Sequence, residues 1–356
     1  MADIRLENLH KEFDDGEVVA VRDLSITFRE GTTTCLLGPS GCGKTTLMRI
    51  IAGLDTPTSG RVYFGDQDVT EMKTRDRNLG MVFQYPVVYR AATVRENIAL
   101  PLRGEDLSQQ EKDDRVEELV SLIGLEDSAD LDVGRLNSAT RQMVAVARAV
   151  SRQAPIILFD EPITNVDPDL KLQVKRTLRG LFSRLNQTII YVTHDQTEAM
   201  TLADEIALMN DGRIDQMAPP RELYNESASR FSGWFLGNPG MDFVPVADNR
   251  EVALAIAGGP LSDNVVTLGF RPEHVKLSSA DATTGVPATV RHSAITTGGQ
   301  VLVNLRSGDL AVKAKLPRGS AMNVRAGTEV RWSVDPDQVR MFGSDDSVVS
   351  AAPIET

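Results

Sequence analysis

The sequence predicts an α/β domain built on a phosphate loop and a parallel sheet, interrupted by a helical insert and followed by a small all-β domain. Three observations carry this. The stretch GPSGCGKTT, residues 38–46, lies between an apolar strand-like run and an amphipathic helix. Two more short apolar runs, PIILFD and TIIYVTH, each precede a helical stretch, the pattern of parallel strands joined by crossover helices. Beyond about residue 240 the periodicity changes to short alternating segments.

A chain of 356 residues exceeds one ordinary core, so a large domain over 1–240 and a smaller one over 241–356 are expected. Hydrophobic content of 41% and charged content of 25% are those of a globular protein, which excludes disorder as the default state. A net charge of −12 leaves no basic surplus for neutralising phosphates, so nucleic acid is not an expected partner. The two cysteines, Cys35 and Cys42, form no pattern of spaced pairs and fit reduced thiols in cytosol. The first residues, MADIRLENLHKEF, carry charges where a signal peptide needs an apolar core, and no stretch approaches the roughly 18 apolar residues of a spanning helix. Any membrane span must come from another chain.

In chain order, IRLENLHKEF and VVAVRDLSITF read as strands, and TTTCLLG as a buried strand ending in glycine. The phosphate loop and the amphipathic KTTLMRIIAGL follow. Residues 87–153 turn helical: Ser108 and Glu111 make a capping box, and VEELVSLIGL carries apolar residues at three-and-four spacing until Gly124 stops it. Strands return with PIILFD and TIIYVTH, and EIALMNDGRIDQ reads as a closing pair around Asp211-Gly212. In QVLVNLRSGDLAVKAK, Val301, Val303 and Leu305 share one face before a turn at Ser307-Gly308, consistent with a β-barrel domain. The last residues, SDDSVVSAAPIET, read as a frayed tail.

GPSGCGKTT satisfies the G-x-x-x-x-G-K-[ST] pattern in its required context. Its residues Gly38, Pro39, Ser40, Gly41, Cys42, Gly43, Lys44, Thr45 and Thr46 are therefore the candidate phosphate site. Glycines let backbone N–H groups converge on phosphate oxygens, and the helix start adds positive potential. Lys44 reaches the β/γ-phosphates, and the Thr45 hydroxyl is suited to Mg²⁺. At the end of IILFDEP, Asp160 is suited to the Mg²⁺ shell and Glu161 to polarising the attacking water, the pleat aiming the two carboxylates apart. Alone, such an acidic pair is commonly a helix cap; the phosphate loop favours the catalytic reading. His194 ends another apolar strand, from which an imidazole reaches a γ-phosphate, and Gln84 stands at a strand-to-loop junction suited to the metal shell or to orienting water.

The phosphate loop, then Gln84, DEP and VTHD, in that order with a helical insert between, resembles the nucleotide-binding subunit of an ATP-binding-cassette (ABC) transporter. TNVDP at 164–168 is similar to the family's D-loop, with Asn165 and Asp167 as its polar residues, and Phe13 stands where the family stacks an aromatic ring on adenine. LGFRPEHVKL and GNPGMDFVPV are similar to the carbohydrate-type importers for maltose and glycerol phosphate, and FQYPVVYRAATVRENIALPLR to the glycerol importer ATPases. The resemblance implies an oligonucleotide-fold-like C-terminal barrel with regulatory or dimer contacts. It also implies an ATPase at the cytoplasmic face of the inner membrane, working with membrane-spanning permease subunits and, indirectly, a solute-binding protein.

The resemblance further implies two ATPase subunits meeting head to tail, each closing an LSGGQ signature over ATP on the other. Aligning QMVAVARAV with the family's QRVAIARAL places that signature at Leu136–Thr140, where this chain reads L-N-S-A-T. Asn137, Ser138, Ala139 and Thr140 replace Ser-Gly-Gly-Gln, and Ala139 is expected to push a Cβ where glycine lets backbone approach phosphate. Two readings stay open: a poor signature offered to a second, intact ATPase in a heterodimer, or a helix cap that still serves a homodimer, since Asn and Ser are good N-caps. A regulatory protein that uses ATP as a clamp is the remaining alternative, against which the retained Glu161 and His194 argue.

Overall fold

The computed structural model describes residues 3–296, 298–320 and 324–349. They divide into two compact units, Met1–Leu223 and Tyr224–Thr356. The first runs β1 (Ile4–Phe13), β2 (Val18–Phe28), β3 (Thr33–Leu37), α1 (Lys44–Ile51), β4 (Ser59–Phe64), β5 (Gln67–Asp68) and β6 (Leu79–Val82). The insert contributes α2 (Val94–Ala99), α3 (Gln109–Leu122) and α4 (Ser138–Val150). Then come β7 (Ile156–Asp160), α5 (Pro168–Phe182), β8 (Thr188–Thr193), α6 (Gln196–Leu202), β9 (Glu205–Asn210) and β10 (Arg213–Ala218).

Six of these strands make one sheet in the order β10-β9-β3-β8-β7-β6, parallel throughout except for β10. Its central strands are buried along nearly their whole length, which is why Cys35-Leu36-Leu37, Ile156–Phe159 and Ile189–Val192 read as continuous apolar runs. A second, antiparallel sheet has the order β2-β1-β4-β5. Strands β4 and β5 are not evident from the pattern, because Val62 is the one buried residue of Ser59–Phe64 and period two barely registers. Apolar residues of both sheets and of α1 form a single core around Leu36, Leu47, Ile50, Leu158 and Val192.

Helix α1 begins at Gly43 in the left-handed region and ends under Arg77. That guanidinium is almost wholly buried and donates to the carbonyls of Ile50 (2.7 Å), Ile51 (2.8 Å), Met72 and Thr70. It satisfies helix-end carbonyls and sets a positive charge at the negative end of the helix. In the insert, α3 carries the expected Ser108–Glu111 capping box, and Gly124 turns left-handed two residues past its end. Asp211 and Gly212, both at positive φ, make the β9–β10 turn as read.

From α7 (Pro220–Asn225) the chain enters the second unit: α8 (Arg230–Phe235), β11 (Asp242–Pro245), α9 (Arg250–Ala257), β12 (Thr267–Phe270), β13 (Val275–Ser279), β14 (Val286–Ile295), β15 (Val301–Ser307), β16 (Leu310–Leu316), β17 (Glu329–Val334) and β18 (Arg340–Phe342). Two antiparallel sheets, β11-β12-β18 and β13-β17-β14-β15-β16, share one barrel-like core centred on Phe270 and Trp332, whose rings lie 5.5 Å apart. Residues 224–240 pack with this unit, where the sequence set the division at 240. The buried Arg271 explains this, since its guanidinium lies 3.6 Å from the Tyr224 ring centre and donates to the carbonyls of Tyr224 and Leu236. Ser307 pairs with Leu310, so Gly308 and Asp309 form the turn, one residue later than expected. The tail is not frayed over 344–349: Val348 donates to the Ala228 carbonyl (3.0 Å) and Val349 to that of Met341 (2.8 Å). Its remainder, 350–356, lies outside the described residues. Among the described residues, no helix is long and apolar enough to cross a membrane.

Candidate functional site

Strand register decides which residues meet. Leu37 is level with Thr193, Val192 with Asp160, and Phe159 with Val82. The chain segments leaving β3, β8, β7 and β6 therefore emerge side by side at the carboxyl edge of the sheet, where open α/β sheets form ligand crevices. These segments carry the phosphate loop, His194, Asp160-Glu161 and Gln84.

The loop is held tightly against its neighbours. A Cβ on Gly43, at φ 101, would run into the Ala20 carbonyl, and one on Gly38 into the Met209 carbonyl and the Cys42 Sγ. Gly41, at φ 80, faces open space. The Gly212 N–H donates to the Cys42 carbonyl (3.1 Å), tying the loop to the β9–β10 turn. Lys44 is buried, its Nζ donating to the carbonyls of Gly38 and Pro39, both at 2.8 Å. Its ammonium thus lies along the loop, while Ser40 and Thr45 are exposed and Thr46 and Pro39 half-buried.

The acidic pair is arranged differently from the expected pleat alternation. Glu161 lies just past β7 at φ 42, and its N–H donates to the Val192 carbonyl (3.0 Å). This left-handed conformation is uncommon for a residue with a Cβ, and it takes Glu161 out of the strand pleat that ends at Asp160. Burial, then the neighbouring Glu161, raises the Asp160 carboxyl above its ordinary range; Arg49 and Lys44 pull the other way. Glu161 Oε1 lies 3.2 Å from His194 Nδ1, and its Oε2 accepts from the Thr164 hydroxyl (3.0 Å). The half-exposed His194 and Glu161 thus form a pair.

The Asn165 amide donates to the Gln84 carbonyl (3.2 Å), and buried Gln142 of α4 donates to that of Phe83 (3.2 Å), so the junction after β6 is tied to two other segments. Asp167 caps α5, accepting from the Asp169 N–H. Phe13, at the end of β1, keeps 37% of its surface exposed, and the Lys11 ammonium stands 4.7 Å from its ring centre. Lys11 is fixed by Asp55 (3.0 Å) and by the Thr56 carbonyl (2.8 Å).

Residues Asn137–Thr140 are not part of this cluster: among the described residues no hydrogen bond or ion pair links them to 38–46. Asn137 caps α4, its side-chain oxygen accepting from the Thr140 N–H (2.8 Å). Ala139 lies in the first turn of α4. It is 6% exposed and turned into the chain's own interior, leaving Asn137 and Ser138 exposed at the helix start. Sequence reasoning also passed over Thr164 and the polar group below His194, comprising Lys175, Tyr191, Thr193, Asp195 and Glu198. Their acid–base character was visible, but their burial depends on how α5 and α6 pack.

The profile of the ABC transporter family matches residues 21–164, and that of the TOBE domain residues 268–342. The sn-glycerol-3-phosphate import ATP-binding protein UgpC of Ruegeria pomeroyi is 41% identical over 280 residues, covering 77% of this chain and 79% of its own. The chain belongs to the ATP-binding proteins of ABC transporters. Another such protein, the sulfoquinovosyl glycerol transport ATP-binding protein SmoE of Agrobacterium fabrum, is 35% identical over 357 aligned positions, covering 96% of this chain and 98% of its own. The ATP-binding cassette MJ0796, solved as a dimer in a post-hydrolysis state bound to ADP and Pi, superposes with a TM-score of 0.53 at 30% identity, covering 61% of this chain and 99% of that one. As an ABC ATPase, the chain binds and hydrolyses ATP.

Proposed function

We propose that this ABC ATPase drives import of a small polar solute, a sugar, polyol, glycerol or glycerol phosphate, and that it works in an asymmetric pair with a second ATPase. The observation that carries the catalytic part is the convergence of Lys44, Asp160 and the Glu161–His194 pair at one sheet edge. The relatives matched along the chain, UgpC and SmoE, are import and transport ATP-binding proteins, which supports the solute class.

In this reading the loop N–H groups and Lys44 hold the phosphates, Phe13 stacks on the base, Glu161 polarises the attacking water, and His194 contacts the γ-phosphate. The residues present fit Mg²⁺. Thr45 offers an exposed hydroxyl, Gln84 an amide and Asp160 a carboxylate that a cation would help ionise. Mg²⁺ takes few protein ligands and keeps several waters beside substrate phosphates. When bound, Mg²⁺ neutralises charge developing on the phosphate oxygens.

The permease would dock in the groove between the core and the insert, at a cavity of about 220 Å³ lined by Leu79, Met81, Val87, Pro101, Ala145 and Arg148. The neighbouring Phe83, Tyr85 and Tyr89 are exposed large side chains that such a contact would cover. The second unit would serve regulation or dimer contact, and the assembly would sit at the cytoplasmic face of the inner membrane, fed by a solute-binding protein.

The asymmetric pairing rests on Asn137–Thr140. The Asn137 side chain, standing where the family has serine, is turned back to cap its own helix by accepting from the Thr140 N–H (2.8 Å). The buried Ala139 methyl favours a second reading, a homodimer in which L-N-S-A-T still serves, because nothing bulky blocks the helix start. Mixing this chain with an LSGGQ-bearing ATPase and measuring turnover separates the two.

A further inference from the structure

Beneath the turn that carries His194 lies a partly buried ionic cluster to which the reaction assigns no role. Glu198 of α6 is 3% exposed, and its Oε2 accepts from the hydroxyls of Tyr191 (2.8 Å) and Thr193 (2.9 Å). Lys175 of α5 places its Nζ 3.1 Å from Asp195 Oδ2 and 3.7 Å from Glu198 Oε1. The other oxygen of Asp195 caps α6, accepting from the N–H groups of Thr197 (2.7 Å) and Glu198 (3.1 Å). Finally, the Thr193 hydroxyl accepts from the Asp195 N–H (3.0 Å). The residues on both sides of His194 are thus bonded into one group, and His194 alone of the three turns outward, half-exposed, to Glu161.

We infer that Lys175, acting through Asp195, Thr193 and Glu198, is a positioning residue for His194 and links its placement to helix α5. The chemistry explains why a charge is used. Two carboxylates within reach of one another repel, and a single half-buried ammonium between them removes that repulsion while fixing both. Four hydrogen bonds made by Thr193 and Asp195, together with the Lys175–Asp195 ion pair, then determine the backbone on each side of His194, so its imidazole is held at Glu161 by the turn and not by contacts of its own alone. Lys175 stands about two helical turns beyond Asp167, which caps α5, so a shift of the Asn165–Asp167 segment transmitted along α5 moves the ammonium that holds the His194 turn. This inference rests on the reading of His194 as the γ-phosphate contact, and its test separates the two.

The full chain, labelled in its histidines, contains four imidazoles, and the H194A variant assigns the resonances of His194. The variants compared are Lys175→Met, which removes the charge, Thr193→Val, which removes only a hydroxyl and is retained should K175M fail to fold, and Lys175→Arg. K175M and T193V are expected to shift or broaden the His194 resonances while those of His274 and His292 stay in place, with K175R nearer the wild type. In the hydrolysing assembly the same two variants should lower kcat about tenfold, as misplacement of a reacting group does, with the KM for ATP unchanged. Folded K175M and T193V with His194 resonances superimposable on those of the wild type would overturn the inference. Normal turnover by H194A itself would instead remove the γ-phosphate role of His194, leaving the positioning result to stand on the spectra.

Discussion

Glu161 and His194 leave neighbouring strands of the sheet, yet the carboxylate Oε1 of one lies 3.2 Å from the Nδ1 of the other. The left-handed turn at Glu161 and the bonded turn around His194 bring them together, and Thr164 secures the second carboxylate oxygen. A carboxylate so held is fixed in direction, which a water-polarising group requires. Glu161→Gln keeps the shape and the bond to Thr164 but loses the charge. Hydrolysis should fall by about two orders of magnitude or more, in the range general-base removal gives, while ATP binding persists. Nucleotide binding by calorimetry, set against single-turnover hydrolysis, checks both halves.

Gly43→Ala should abolish nucleotide binding. Its φ of 101 and the Ala20 carbonyl standing where a Cβ would go leave no room for even a methyl group, so the loop must open. Gly41→Ala meets no neighbour and suffers only from its φ of 80, so it should retain weaker binding. Equal affinity for ATP in the two variants would contradict this assignment of the loop.

Asn137→Ala removes the side chain that accepts from the Thr140 N–H at the start of α4. The loss should be about 1 kcal/mol of stability. Denaturant midpoints of the full chain report it, and Asn137→Ser, which preserves the cap, should recover most of it.

Tyr224 links stability to alkaline pH. Burial, together with the hydrogen bond to Glu273, pushes its phenol up to about 12 from 10.0. The folded state therefore holds this proton more tightly than the unfolded chain. The stabilisation is complete below the ordinary value and is lost as pH rises through the folded one. Thermal melts between about pH 9 and about pH 12 should fall more steeply for the wild type than for Tyr224→Phe, which has no proton to lose.

Motifs made of contiguous residues were legible. GPSGCGKTT, IILFDE and TIIYVTH each combine an apolar strand with a polar end, and parallel register alone brings their ends together. What was not legible depends on contacts between distant segments. Arg77 and Arg271 look like surface cations in the sequence, yet each is buried and donates to backbone carbonyls far along the chain. The burial of Ala139 depends on which face of α4 packs inward, which the sequence alone does not give. Glu161 was assigned a direction by strand pleating, yet it lies past the end of β7 with a left-handed backbone.

The most direct test is steady-state ATP hydrolysis by the full chain, alone and assembled with its permease subunits and an ATPase carrying an intact LSGGQ. Turnover only in the mixed assembly, abolished by Glu161→Gln in this chain, is the expected result. Turnover by this chain alone, equal per subunit to that of the mixture, would contradict the asymmetric pair and make L-N-S-A-T a working signature.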